Sequence, residues 1–105
     1  MEDFTMVTVE MLEVNGTYAQ GVIMPEIGGA GHPNMIAVIA KKGYLFCGYL
    51  NMAASEKFDD AAVLGGGASF EAILANPIKG MTPAAAALGV KEGMTGAEAV
   101  AILNA

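Results

Sequence analysis

The sequence predicts an α+β fold: one domain with a largely antiparallel, mixed sheet of about five to six strands and three to four short helices packed mainly on one side. Three observations predict it. Strand-like segments crowd the first half of the chain and helix signals the second, the order that segregates helices from an antiparallel sheet. Asn15-Gly16 joins two such strand segments, and this dipeptide is the strongest short hairpin signal because both residues accept positive φ. Helix-capping residues recur at Ser69, Thr82 and Thr95. The chain has 105 residues, the size of one ordinary domain. No repeat, low-complexity tail or interdomain linker divides it.

Residues 5–14 mix β-branched and apolar side chains, with Val7, Val9 and Met11 on one face and Thr8 and Glu10 on the other. That alternation predicts a half-buried strand. Residues 17–24 return antiparallel to it after the Asn15-Gly16 turn. Residues 25–34 hold two prolines and three glycines without periodicity, which predicts a long loop of the kind that serves as a binding element or lid. Residues 35–40 and 44–50 are apolar strands joined by Lys41-Lys42-Gly43. Their near-continuous hydrophobicity predicts burial on both faces and a central place in the sheet. Asn51 caps a short helix over 52–58, Asp59-Asp60 ends it, and 61–64 is a further strand. Gly65-Gly66-Gly67 leads to the cap Ser69 and a helix with Phe70, Ile73 and Leu74 on one face. Asn76-Pro77 stops that helix. Residues 78–81 form a short edge strand. Thr82-Pro83 opens the next helix, which Gly89 ends. Thr95-Gly96-Ala97-Glu98 is a capping box for the last helix, through Leu103.

Charge excludes one large class of function. All five basic residues are lysines, at 41, 42, 57, 79 and 91; there is no arginine, and the formal net charge is -6. A nucleic-acid binder needs a basic surface to displace counterions, so no nucleic-acid partner is expected. The longest apolar runs fall far short of the ~18 residues that predict a membrane helix. The acidic start, Met1-Glu2-Asp3-Phe4, lacks the basic region of a secretory signal. A single cysteine makes no internal disulfide and no multi-cysteine zinc site, which fits a reducing cytoplasm. The sequence calls for no cofactor and no metal.

Ile36-Ala37-Val38-Ile39-Ala40 followed by Gly43-Tyr44-Leu45-Phe46-Cys47-Gly48 resembles the core of the YunC-like proteins, a domain-of-unknown-function family of bacteria and archaea. The resemblance continues through Ser69-Phe70-Glu71-Ala72-Ile73-Leu74 and from Ala86 through Gly93 to Ala99, roughly the last two-thirds of the chain. It implies a single cytoplasmic α+β domain with no established activity, and it supplies no catalytic residue. Gly43, Tyr44, Cys47 and Gly48 match its tyrosine-to-cysteine segment and are positions of interest.

The candidate catalytic residues are Cys47 and His32. A nucleophilic thiol needs a base, a cation or a helix N-terminus beside it, and the sole histidine lies on the long loop, with Asn34 or Asn51 available to orient it. Against this, a cysteine in an apolar strand behaves as a small core residue, and a loop histidine is ordinarily solvated. The candidate ligand-binding residues are Tyr44, Gly48, Gly66, Gly67 and Ser69, since glycine amides before a helix hold a small anion without arginine. The competing reading of that loop is a tight turn with a normal cap. Glu56, Asp59 and Asp60 offer oxygen ligands for a cation, against the plainer reading of a solvated helix end.

Three readings follow. The preferred one is a small-molecule binding or regulatory module in which loop 25–34 covers a pocket floored by 44–49. The others are an enzyme using Cys47 with His32, and a structural or adaptor homo-oligomer. Apolar strands on so small a domain leave surface to hide between subunits, so a homo-oligomer is expected, most simply a dimer.

Overall fold

The computed structural model describes residues 7–25, 31, 34–48 and 52–105. Asn15 and Gly16 take φ of 49° and 82°, and the turn they form sets the register of β1 (Thr8–Val14) against β2 (Thr17–Met24). The pairing is antiparallel from Val14↔Thr17 to Thr8↔Ile23, and the Thr17 hydroxyl closes the turn by donating to the Val14 carbonyl at 2.8 Å. β3 (Met35–Ile39) and β4 (Gly43–Phe46) extend the antiparallel run. The chain then passes through α1 (Met52–Lys57) and re-enters as β5 (Ala61–Leu64), parallel to β4. α2 (Phe70–Ala75) precedes the two-residue β6 (Gly80–Met81), which pairs antiparallel to β5. α3 (Pro83–Leu88) and α4 (Gly96–Leu103) follow. The sheet order is β1-β2-β3-β4-β5-β6, a six-stranded mixed sheet in an α+β domain. The single parallel pair requires a crossover, and α1 supplies it.

The helices begin where their caps stand. The hydroxyls of Ser69, Thr82 and Thr95 accept from the amides of Ala72, Ala85 and Glu98, and the Glu98 carboxylate accepts in turn from the Thr95 amide to complete a capping box. Gly89 ends α3 in the left-handed region at φ 115°. In α4, Gly96, Ala99, Val100 and Leu103 are the buried residues, one face at i, i+3, i+4 and i+7. The core joins Ile36, Val38, Leu45 and Val63 of the sheet to Ile73 of α2, Ala85 of α3 and Val100 and Leu103 of α4. A Cβ on Gly96 would overlap the backbone carbonyl of Ile73, so only glycine lets α4 approach α2 this closely. α1 stands apart from this group. It packs on β5, and its Ser55 meets Tyr44, whose side chain alternates with the inward Leu45. Three helices therefore cover one face, and α1 covers part of the other.

β3 is buried on both faces, as its hydrophobicity predicts: Ile36, Ala37 and Val38 are consecutive buried residues. β1 differs in orientation. It is half-buried, but the face holding Val7, Val9 and Met11 is the solvent face, while Leu12 and Val14 turn to the core. Three further boundaries shift. β3 stops at Ile39, β4 at Phe46 and α1 at Lys57. The expected strand residues Tyr49 and Leu50, the cap Asn51, and most of loop 25–34 with His32 lie outside the described residues. Among the described residues, no helix is long and apolar enough to cross a membrane.

Candidate functional site

Strand direction gathers the candidate site. β4 and β5 are parallel, so both open at the same end: Cys47 and Gly48 follow β4, and Gly65-Gly66-Gly67 follows β5. β3 and β6 run antiparallel to these two strands, so the residues just before them arrive at that same end. These are Asn34 and Lys79. A cavity of ≈ 330 Å³ opens there, lined by Cys47, Gly48, Gly65–67, Asn34 and Lys79. The carboxyl ends of parallel strands are a recurrent place for ligand crevices, because neighbouring chain segments diverge there.

Each wall has a local cause. The Gly65 amide donates to the Phe46 carbonyl at 2.8 Å, extending the β4–β5 ladder by one residue. Beyond it the chain turns away. The Gly66 carbonyl accepts from the Asn76 side chain at 2.9 Å, which fixes that peptide against the end of α2. The Asn34 side-chain amide donates to the Ala68 carbonyl over 3.4 Å, linking the start of β3 to the glycine segment. Cys47 is 7% exposed at the cavity floor. Its amide donates to the Ile36 carbonyl at 3.0 Å, and its sulfur accepts from the Ile36 amide at 3.2 Å. The thiol thus occupies a ladder position on β3 with its apolar surface in the core.

Lys79 drapes across Gly66. A Cβ on that glycine would stand 2.7 Å from Lys79 Cε and 2.8 Å from Nζ. The missing side chain lets the ammonium lie over the cavity wall. Lys79 also borders a neighbouring groove of ≈ 650 Å³ with Glu92. Among the described residues, no hydrogen bond uses the N–H groups of Gly48, Gly66 or Gly67. The arrangement offers one cation, several backbone donors and a thiol in a space of metabolite size.

Of the residues singled out from sequence, Cys47, Gly48, Gly66 and Gly67 come together. Ser69 stands behind them, exposed, with its hydroxyl committed to the Ala72 amide at 3.1 Å. Tyr44 lies on the other face of the sheet. Its ring contacts Phe46 at 5.7 Å between centroids, and its hydroxyl meets Ser55 and Asp60, each at 2.8 Å. Burial, partly countered by the Ser55 hydrogen bond and reinforced by Asp60, raises the Tyr44 pKa above 10.0. Asp59, at φ 61°, turns the chain out of α1, and Asp60 is engaged by Tyr44. Asn34, singled out from sequence only as an orienter for His32, lines the cavity, whereas Lys79 was missed. Lys79 was hidden because its place depends on β6 pairing with β5, which no local pattern specifies.

The fold and cavity define a small α+β protein with a glycine-lined crevice at the end of one parallel strand pair. The family model of the domain of unknown function DUF1805 matches residues 46–103, and the chain belongs to this family. It is 36% identical over 72 residues to the uncharacterized protein YunC of Bacillus subtilis (strain 168), covering 64% of this chain and 71% of that one. Its structure is similar to the crystal structure of a protein of unknown function from Thermoplasma acidophilum, with a TM-score of 0.83 and 25% identity over 97% of this chain and 99% of that chain.

Proposed function

We propose that this protein is a small-molecule binding module, regulatory rather than catalytic, with its ligand in the cavity at the ends of β4 and β5. One observation carries the reading: four separate segments converge on that cavity and line it with glycines, one lysine and one thiol. Glycine walls admit a ligand to the backbone, where amides act as fixed donors. The buried, hydrogen-bonded setting of Cys47 supports a positioning and packing role for the thiol in preference to a nucleophile paired with His32. A single thiol also accords with a reducing cytoplasmic setting. The charge of -6 weighs against nucleic acid as partner.

A second reading has its own support and is compatible with the first. The outer faces of β1, β2 and β3 expose Val9 (57%), Met11 (76%), Tyr18 (65%) and Ile39 (44%). Register places these side chains in adjacent rows: Val9 is opposite Val22, Met11 opposite Gln20, and Gln20 opposite Ile39. Val7 (56%) and Met24 (37%) extend the exposed apolar set, and a large exposed apolar patch marks an interaction surface. Self-association through this face, most simply as a dimer, is part of the proposal.

Native mass spectrometry of gently purified protein tests both parts. A retained small mass on an oligomer is the expected result. A monomer without added mass, which also shows no stability gain across a metabolite panel, overturns the reading.

A further inference from the structure

We infer that the cavity takes a small aliphatic monocarboxylate, its carboxylate on Lys79 Nζ and the Gly66–Gly67 backbone, its chain over Cys47 and Gly48. This inference rests on the binding-module reading and names the ligand class for it. The donors are the first argument. The Lys79 arm crosses Gly66 closely enough that a Cβ there would collide with it, so the ammonium and the glycine amides share one wall of the cavity. Asn76 holds the Gly66 carbonyl, and because a trans peptide points its N–H opposite its C=O, the Gly67 N–H is directed away from Asn76. No protein acceptor among the described residues engages the amides of Gly48, Gly66 or Gly67. The donors therefore come from lysine and loop backbone. α2 has only six residues and Ser69 already caps it, so its terminus is not needed.

Charge and size set the class. One lysine faces the cavity, and the chain carries -6 overall. A second or third negative charge on the ligand would meet repulsion with no added cation among the described residues to offset it. Beside these donors, the Cys47 sulfur is already occupied by the Ile36 amide, and Gly48 adds backbone with no side chain, which leaves room for an aliphatic chain. A volume of ≈ 330 Å³ is at the low end for ligand pockets and suits a ligand of roughly ten non-hydrogen atoms.

Gly48 supplies a clean probe. A Cβ added there meets nothing within 4 Å, so a side chain at this lining position starts in open space, and Gly48→Val is expected to intrude on the ligand while the fold is retained. The experiment titrates hexanoate, hexanamide and inorganic phosphate into the wild-type protein, following backbone amide NMR shifts and the alkylation rate of Cys47. Hexanoate is expected to shift Gly48, Gly66 and Gly67 saturably and to slow alkylation. Hexanamide, and hexanoate with Lys79→Met, are expected to bind about tenfold more weakly. Gly48→Val, with an otherwise unchanged spectrum, is expected to abolish binding. Equal binding of hexanoate and hexanamide overturns the anion assignment while the binding-module reading stands. Tighter binding of phosphate overturns the monocarboxylate class. Absence of any cavity shift with all three probes overturns the inference, and the retained-ligand measurement then decides the broader reading separately.

Discussion

The Tyr44 hydroxyl donates to the Asp60 carboxylate at 2.8 Å and is itself 2.8 Å from the Ser55 hydroxyl. Because Tyr44 spends its proton on Asp60, Ser55 is the donor in the second bond. The trio joins β4, α1 and the start of β5, and so fixes the crossover helix to the outer face of the sheet. Burial is the main cause of the raised Tyr44 pKa, eased by Ser55 and increased by Asp60. A folded-state pKa above the unfolded value of 10.0 means the stabilisation is fully present below pH 10 and is lost as pH rises through the folded pKa. Tyr44→Phe is therefore expected to flatten the alkaline limb of a stability–pH profile. It should also remove a component that titrates above 10.0 from a tyrosinate absorbance titration. An unchanged alkaline limb would refute the assignment.

Thr82 is 1% exposed and does three jobs with one oxygen. Its hydroxyl donates to the Asp60 carbonyl at 2.6 Å and accepts from the amides of Ala62 at 3.0 Å and Ala85 at 3.3 Å. Valine has the same shape and none of these bonds. Thr82→Val is expected to cost about 2–4 kcal/mol, from a lost cap and buried groups left unpaired. Thr82→Ser keeps the oxygen and should lose under half of that. Urea denaturation of the two variants gives the comparison, and a Val variant within error of wild type would remove Thr82 from the account.

Local chemistry made part of this structure legible in the sequence. Asn15-Gly16 and the three caps are decided by residues within a few positions of one another, and all stand as expected. The central burial of β3 was equally plain from unbroken hydrophobicity. What the alternation left open was which face of β1 turns inward. The apolar set Val7, Val9 and Met11 turns outward because Leu12 and Val14, on the alternate positions of the strand, pack against the core. The site was half legible. The sequence marks Cys47 as a candidate nucleophile and Gly48, Gly66 and Gly67 as candidate binding residues, and these four line one cavity, but an offset of three along an extended strand sends the Tyr44 side chain to the face opposite Cys47. Lys79 and Asn34 reach the cavity only through strand order, a non-local property.

Asn104, just past α4, ties two hairpins to the C-terminus. Its carbonyl oxygen accepts from the Lys41 amide at 2.8 Å, and its amide donates to the Thr17 hydroxyl at 3.0 Å and the Tyr18 carbonyl at 2.8 Å. The Lys42 amide adds a bond to the Leu103 carbonyl at 2.9 Å. Asn104→Ala is expected to cost roughly 1–3 kcal/mol, reduced from a fully buried value because the site is partly solvated. Hydrogen exchange should quicken at Lys41 and around the Asn15-Gly16 turn before it does in β4 or β5. Uniform acceleration throughout the sheet would argue against a local clamp.

Among the described residues, Met11 is the most exposed large apolar side chain on the outer face, at 76%, and it sits on β1, an edge strand of the six. Exposure makes it nearly irrelevant to the stability of one chain and central to association if this face is an interface. A charge placed there stays solvated in a monomer but must be desolvated, or the contact abandoned, in an oligomer. Met11→Lys is therefore expected to leave secondary structure and monomer folding intact while weakening self-association by about two orders of magnitude, or roughly 3 kcal/mol. Glu10→Lys alters charge on the same strand but on the opposite face, and it should dissociate far less. Light scattering over a dilution series measures both. Dissociation by Met11→Lys alone assigns the interface to the exposed β1–β3 face. Equal loss in both variants would point to net charge, and an unperturbed oligomer in both would place the contact elsewhere.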